Sequence, residues 1–342
     1  MSDSDWSDDR VTIMDVADAA GVSISTVSKA LNGVGRMREE TRERVQGIAE
    51  QLGYVGRPPK REVRESRSYT VGLLTTDSFS RFAAPIMLGV EDALGAGRIS
   101  VLLADGRGDA IRENHHVQTF LARRVDAIIV TGRRAEPRPP IGVSTRVPVC
   151  YVLARSQRPD DLSLVIDDEQ GARLAIAHLL ALGRRDIAYI TGPQKHLSAR
   201  LRGSGMLDAL HQAGLEPVPH SAVWGEWSEA WGRQAASILV RSGAPLDAVF
   251  CGSDQIARGV VEQLQILGRR VREDVSVVGF DNWDVMALAS RPQLTTVDPQ
   301  LGDLGRMAAE SILAALAGQK QSGIISHECR LVVRESTAVP VD

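Results

Sequence analysis

The sequence predicts an N-terminal all-α helix-turn-helix headpiece followed by a larger α/β core built as two parallel-sheet lobes. Three observations lead to this. Val11 to Tyr54 carries short helical stretches and no strand-like run. Gly56 to Thr70 (GRPPKREVRESRSYT) is almost bare of apolar residues. From Tyr69 onward, short apolar runs alternate with amphipathic stretches, the pattern of βαβ units whose strands are buried on both faces. The expected boundaries are residues 11–55 for the headpiece, 56–69 for a hinge or linker and 70–342 for the core. Within the core, the first lobe is expected at about 70–153 plus a C-terminal return, and the second at about 163–290.

Bulk properties exclude several classes. The 40 Lys and Arg against 43 Asp and Glu leave a net charge of −3, so any basic surface must be local. Cys150, Cys251 and Cys329 are odd in number and scattered, with no C-x-x-C or His/Cys cluster; neither a disulfide framework nor a metal site or cofactor is expected. No run approaches the ~20 apolar residues of a membrane span. Met1–Arg10 is acidic where a signal peptide would be basic and then apolar, so a cytoplasmic setting is expected.

In the headpiece, Asp15–Ala20 and Ser25–Leu31 read as small helices separated by Gly21, where the chain must reverse tightly. A third helix from about Glu39 to Leu52 places Val45, Ile48, Ala49 and Leu52 on one apolar stripe, and Gly53 ends it. Ser23 is positioned to cap the second helix, whose exposed face would show Ile24, Ser25, Ser28 and Lys29. These short side chains suit a major groove, although the turn alone would equally fit an ordinary αα-hairpin.

The whole string from Thr12 to Asn32 is more specific. It resembles the headpiece of the lactose-repressor (LacI) family, T-[IL]-x-D-V-A-x-x-A-G-V-S-x-x-T-V-S-[RK]-x-[LV]-N, and meets every fixed position. Thr41–Val45 and Leu52-Gly53-Tyr54 continue the match. The resemblance implies a DNA-binding regulator. It assigns base reading to Ile24 and Ser25, phosphate contacts to Ser23, Thr26, Ser28, Asn32 and Tyr54, and either kind to Lys29, with Thr12 also in the DNA-contacting set. Phosphate contacts fix register, whereas base contacts set sequence.

The following segment departs from the family hinge Y-x-P-N-x-x-A-R-x-L. Gly56 stands for the proline, Arg57 for the asparagine, Lys60 for the alanine and Val63 for the leucine, while Arg61 is kept. A solvated linker and a hinge helix both fit. In the second case Val63 is a shorter, β-branched minor-groove wedge, supported by phosphate contacts from residues such as Lys60.

In the core, Tyr69–Thr75, Ile99–Ala104, Val125–Thr131, Val147–Leu153, Ile187–Thr191, Ala248–Cys251 and Val275–Phe280 read as strands. Leu304–Ala317 reads as the last helix, and Ser326–Val333 as one returning strand. The strings at 165–183, 190–193, 198–203, 251–259, 274–281 and 294–297 resemble the periplasmic-binding-protein-like core of the same family. The resemblance implies an effector cleft at the strand ends, lined by Ser80, Phe82, Arg202, Trp227, Ser253 and Asp281. Asp281 alternatively caps a short helix near Trp283, and Trp224, Trp227 and Trp231 alternatively serve packing. Where the family has V-D-R, this chain has Val152-Leu153-Ala154, and Ser253 stands where asparagine is commoner. Both changes point to an effector less hydroxyl-rich than a simple hexose, or one held differently; a sugar or sugar derivative is the first expectation.

The expected partners are a double-stranded operator, a small-molecule effector and a second copy of the chain, with no membrane. The expected function is a repressor on a pseudo-palindromic operator, with a nucleobase-responsive co-repressed regulator or a pure solute-binding sensor as alternatives. An enzyme is disfavoured because no G-x-S-x-G, P-loop or G-x-G-x-x-G stands at a strand–helix junction, and His115-His116 reads as solvated.

Overall fold

The computed structural model describes residues 11–31, 37–54, 70–77, 81–95, 100–132, 135–141, 147–218 and 222–337. The chain divides into two units, Met1–Ser66 and Arg67–Asp342.

The first unit contains α1 (Ile13–Ala20), α2 (Ile24–Leu31) and α3 (Glu39–Gln51). Thr12 opens α1 through a reciprocal box: the Thr12 hydroxyl and backbone N–H both donate to Asp15 Oδ2, each at 2.7 Å, and Asp15 N–H returns to the hydroxyl. Gly21 ends α1 in the left-handed region (φ 62), which a Cβ would disfavour. The helices meet through small side chains, with Ala17, Ala20, Val27, Ala30, Val45 and Ala49 buried between them. Leu52, expected on the buried stripe of α3, is 38% exposed because it lies at the C-cap, beyond the last turn that packs.

The second unit runs β1 (Thr70–Thr75), α4 (Ala83–Leu94), β2 (Ser100–Asp105), α5 (Ala110–Ala122), β3 (Ala127–Thr131), β4 (Pro137–Arg138), β5 (Val149–Val152), β6 (Arg155–Ser156) and β7 (Leu162–Ile166). It continues with α6 (Asp168–Ala181), β8 (Ile187–Thr191), α7 (Leu197–Gln212), β9 (Ala222–Trp224), α8 (Glu229–Ser242), β10 (Ala248–Cys251), α9 (Asp254–Ile266) and β11 (Ser276–Phe280). It ends with α10 (Asp284–Ala287), β12 (Thr295–Asp298), α11 (Leu301–Leu316), β13 (Gly323–His327) and β14 (Arg330–Val332). One sheet has the order β13-β7-β5-β3-β1-β2 and the other β14-β12-β11-β10-β8-β9. Pairing is parallel except for β14, which runs antiparallel to β12. Strands β3, β7, β8 and β11 are buried along their whole length, as helix-covered parallel sheets require.

Two segments depart from the expected lobe boundaries. Strand β7, placed by sequence at the start of the second lobe, pairs with β5 and β13 in the first sheet, so the chain crosses between lobes at Asp167. The single strand expected over Ser326–Val333 is two: β13 joins the first sheet and β14 the second. The break lies at Glu328-Cys329, where no glycine or proline marks it. It is held by Gln170, whose side chain accepts from Cys329 N–H at 2.9 Å and donates to Cys329 C=O at 3.2 Å. With the passage from β12 to α11, the chain crosses between sheets three times.

Helices α4 and α11 pack backbone against backbone. A Cβ on Gly89 would lie 1.9 Å from Gly302 O, and one on Gly305 would lie 2.2 Å from Ile86 O. Gly305→Ala is therefore expected to lower stability by about 1–3 kcal/mol through overpacking. Gly47, inside α3 with open space where its Cβ would be, should behave oppositely: Gly47→Ala is expected to stabilise the headpiece by about 0.5–1 kcal/mol. Thermal melts of the two variants beside the parent check both signs.

Candidate functional site

The reading face of the headpiece is set by the period of α2. Val27 and Ala30 are buried, which leaves Ser25 and Lys29 exposed and Ile24 47% exposed on the opposite side. Ser23 caps the helix: its Oγ accepts from Thr26 N–H at 3.2 Å and lies 2.9 Å from the Thr26 hydroxyl. Thr26 and Ser28 are half-buried. Tyr54 packs against the headpiece core, and its N–H donates to Ala49 O at 2.9 Å. An apolar group, a hydroxyl and an amine thus stand together on one protruding face, chemistry that matches base edges and phosphates.

In the second unit, a cleft of about 1010 Å³ lies between the two lobes. Its floor is organised around Arg202 of α7, which is buried. The guanidinium donates through Nε to Asp168 Oδ1 at 2.7 Å and through Nη1 to Gly252 O at 2.5 Å. Its Cζ stands 3.5 Å from the centre of the Phe280 ring, and Nη1 lies 3.9 Å from Asp281 Oδ1. Burial alone would lower the Arg202 pKa, but Asp168 and Asp281 overcome it and hold the guanidinium above its ordinary range.

Asp281 follows β11 in a left-handed backbone conformation (φ 110), with Asn282 next to it at φ 46. Non-glycine residues held this way store strain, which concentrates where side chains must be aimed. Burial pushes the Asp281 pKa up, opposed by Arg81 and then Arg202. Arg81, from the loop before α4 in the first lobe, reaches Asp281 Oδ2 at 2.9 Å. Asp254, the first residue of α9, accepts from the Thr296 hydroxyl at 2.6 Å and from Trp283 N–H at 2.7 Å. Burial first, and then the Asp281 charge, push its pKa up to about 8.

Aromatic side chains form part of the walls, beside polar ones such as Asp298, Gln300 and Arg330. Trp227 Nε1–H donates to His196 Nδ1 at 2.8 Å with the two rings 9° from coplanar, so a neutral His196 carries its proton on Nε2. Phe82, Trp283 and Leu153 also line the cleft. Glu136 of the first lobe accepts from Leu197 N–H at 2.9 Å at the start of α7, a second link across the cleft. Among the described residues no group of His, Cys, Asp and Glu is arranged to hold a metal, and no helix is long and apolar enough to cross a membrane.

Comparison with known proteins places this arrangement. The family described as bacterial regulatory proteins, lacI family, matches residues 12–56, and the periplasmic binding protein-like domain matches residues 176–337. The chain is 30% identical over 329 residues to the HTH-type transcriptional repressor CytR of Escherichia coli (strain K12), covering 95% of this chain and 96% of that one. The chain belongs to the lacI family. It is also 29% identical over 336 residues to the lactose operon repressor of the same organism, covering 96% of this chain and 91% of that one. The solved lac repressor dimer bound to operator and the anti-inducer ONPF matches with a TM-score of 0.78 at 28% identity, covering 96% of this chain and all of that chain.

Of the residues that the family resemblance nominated for the cleft, Phe82, Arg202, Trp227 and Asp281 line it. Ser253 does not. It is fully buried, and its hydroxyl caps α9 by accepting from Ile256 N–H at 3.3 Å; Gly252 instead presents its carbonyl to Arg202. Asp281 does not cap α10, because Asp254 takes the Trp283 N–H. Trp224 packs edge-on against Tyr189, and Trp231 donates to Thr191 O at 2.9 Å; both are packing residues. Asn32, Lys60, Val63 and Ser80 lie outside the described residues.

Sequence reasoning did not nominate Asp168, Arg81, His196, Asp254 or Trp283. Asp168 and Asp254 each open a helix directly after a strand, a placement that favours a carboxylate and was legible. Arg81 had no such signal.

Arg202→Ala would leave Asp168 and Asp281 buried without their shared cation. It is expected to destabilise the second unit by about 3–5 kcal/mol in urea unfolding. Asp254 adds a pH dependence. Its folded pKa of about 8 lies above the ordinary carboxylate value of 3.8, so between those values the folded state keeps a proton that the unfolded chain releases. Its contribution to stability is full below about pH 4 and declines up to about pH 8. Denaturant titrations across that window should show a shallower decline in Asp254→Asn than in the parent.

Proposed function

We propose that the chain is a sequence-specific DNA-binding repressor that acts as a homodimer on a pseudo-palindromic operator, in the cytoplasm where its target duplex lies. The observation that carries this reading is the pairing, in one chain, of an exposed helix-turn-helix reading face with a separate two-lobed cleft floored by Arg202 and Asp281. Two copies related by a two-fold axis would present two α2 helices about one helical turn apart, ~34–36 Å. The lac repressor solved as a dimer on its operator supports that arrangement. Ile24 and Ser25 read bases; Ser23, Thr26, Ser28 and Tyr54 hold the backbone, Lys29 holds a phosphate or a base, and Thr12 stands at the mouth of α1.

The cleft takes a small effector, a sugar or sugar derivative being the first reading. Sugar C–H faces stack on Trp227, Trp283 and Phe82, and hydroxyls donate to Asp281. A related regulator, CelR, has been solved with cellobiose, which supports a sugar-sized occupant. The same aromatic walls favour a flat heterocycle as the second reading, and Leu153, buried at the edge of the cleft, offers it no hydroxyl acceptor. Control requires the effector to bind the DNA-bound and free states unequally, typically by ~1–3 kcal/mol.

Gel shifts with genomic fragments test the DNA reading. Removal of residues 1–68 should abolish binding, and binding that persists would overturn the assignment. In the intact chain, Ser25→Ala should relax sequence preference by about 1–3 kcal/mol at the base it reads. Lys29→Ala should weaken all duplexes and flatten the salt dependence. For the cleft, a thermal-shift screen of sugars and nucleobases against the intact chain should yield a hit whose effect is lost in Asp281→Ala.

A further inference from the structure

The effector cleft already contains a charged group, supplied by the chain itself. Arg81 belongs to the first lobe and Asp281 to the second, yet Nη1 of the one lies 2.9 Å from Oδ2 of the other. Both side chains are largely withdrawn from solvent, at 14% and 3% exposure. The Arg81 guanidinium lies 4.5 Å from the centre of the Phe82 ring and 5.5 Å from that of Trp283. A planar cation therefore sits among two aromatic rings and a carboxylate, the surroundings that a polar small molecule with a flat face would need.

The contact is close but badly aligned. Among the described residues, neither Asp281 oxygen accepts a well-formed hydrogen bond, and Arg81 Nη1 donates none. The carboxylate is thus neutralised by charge while both oxygens keep their capacity to accept. A competitor that brings correctly directed donors gains bonds that Arg81 does not make.

We propose that Arg81 is an intramolecular occupant of the cleft, a tethered guanidinium that latches the two lobes through Asp281 until an effector displaces it. The proposal rests on the reading of this cleft as the effector site. It also fixes the class of effector. With Arg81 displaced, Asp281 keeps only Arg202, which it shares with Asp168, so its carboxylate is left under-compensated and receives a neutral or cationic donor-rich group. A carboxylate or phosphate at that position would meet Asp281 without its principal counter-ion and is excluded. The effector competes with its own receptor, and the apparent affinity of the intact protein is lowered by the fraction of molecules in the latched state.

Chemical rescue tests this without knowledge of the natural effector. Arg81→Ala removes the atoms of ethylguanidinium and leaves their space beside Phe82, Trp283 and Asp281. Millimolar ethylguanidinium chloride should raise the unfolding midpoint of the full-length variant by about 2–4 °C above an ethylammonium chloride control. The parent, and Arg81→Ala combined with Asp281→Asn, should not respond. Equal responses in parent and variant, or a response that survives Asp281→Asn, would overturn the proposal.

A second measurement uses Arg81→Met, which keeps apolar contact with the two rings and removes the charge. Spin labels at Ile111→Cys on α5 and Ile266→Cys on α9, both exposed, report the distance between lobes, and the three native cysteines are buried. The effector-free parent should show one short distance population and Arg81→Met an added longer one; identical distributions would sink the latch. Neither test involves an effector. Failure of both alongside an Asp281-dependent screening hit leaves the effector site standing, whereas rescue without any such hit leaves the latch and removes the effector reading.

Discussion

A single buried guanidinium holds the floor of the second unit together. Arg202 links the start of α6 through Asp168, the end of β10 through Gly252 and the end of β11 through Phe280 and Asp281. A charge withdrawn from water is tolerated only when its donors are matched, so these partners have little freedom to drift. These partners lie on three different elements, and the position of α7 relative to the sheet follows from satisfying all of them at once. The same requirement pins Asp281, whose backbone is bent into the left-handed region so that its carboxylate faces two cations rather than solvent.

Around this floor the lobes are coupled by short covalent crossings and by polar contacts that reach across the gap. The crossings at Asp167, between β12 and α11, and at Glu328-Cys329 act as parallel straps, with Gln170 bonded to both the N–H and the C=O of Cys329 in the last one. The non-covalent links, Arg81 to Asp281 and Glu136 to the start of α7, lie beside the cleft and are made of charge and hydrogen bonds rather than packed apolar surface. Such contacts are exchangeable for ligand contacts, whereas the glycine-mediated packing of α4 on α11 is not. The molecule thus separates what must remain fixed from what an effector can rearrange.

Most of the architecture was legible in the sequence because it is written in local patterns. The headpiece string specified its own turn at Gly21 and its cap at Ser23. The apolar runs marked seven core strands to within a residue or two, since a strand buried on both faces needs an unbroken apolar stretch. Membership of a particular sheet was not written locally. Strand β7 carries the same apolar character whichever sheet it joins, and the break between β13 and β14 coincides with no turn residue. The cleft was half legible. Arg202 and Asp281 stood in recognisable strings, but Ser253 was misassigned because a serine after a strand serves a ligand or a helix cap equally well.

The sequence by itself determined the identities of the elements, the reading face of α2 and the family, because propensity, periodicity and motif spacing act over a few residues. Tertiary structure alone decided that Arg81 meets Asp281, that Gly252 rather than Ser253 faces Arg202, and that β7 belongs with the first sheet. These are contacts between segments far apart in the chain. Their partners are selected by the closure of two sheets around shared crossings, and no local rule encodes that geometry.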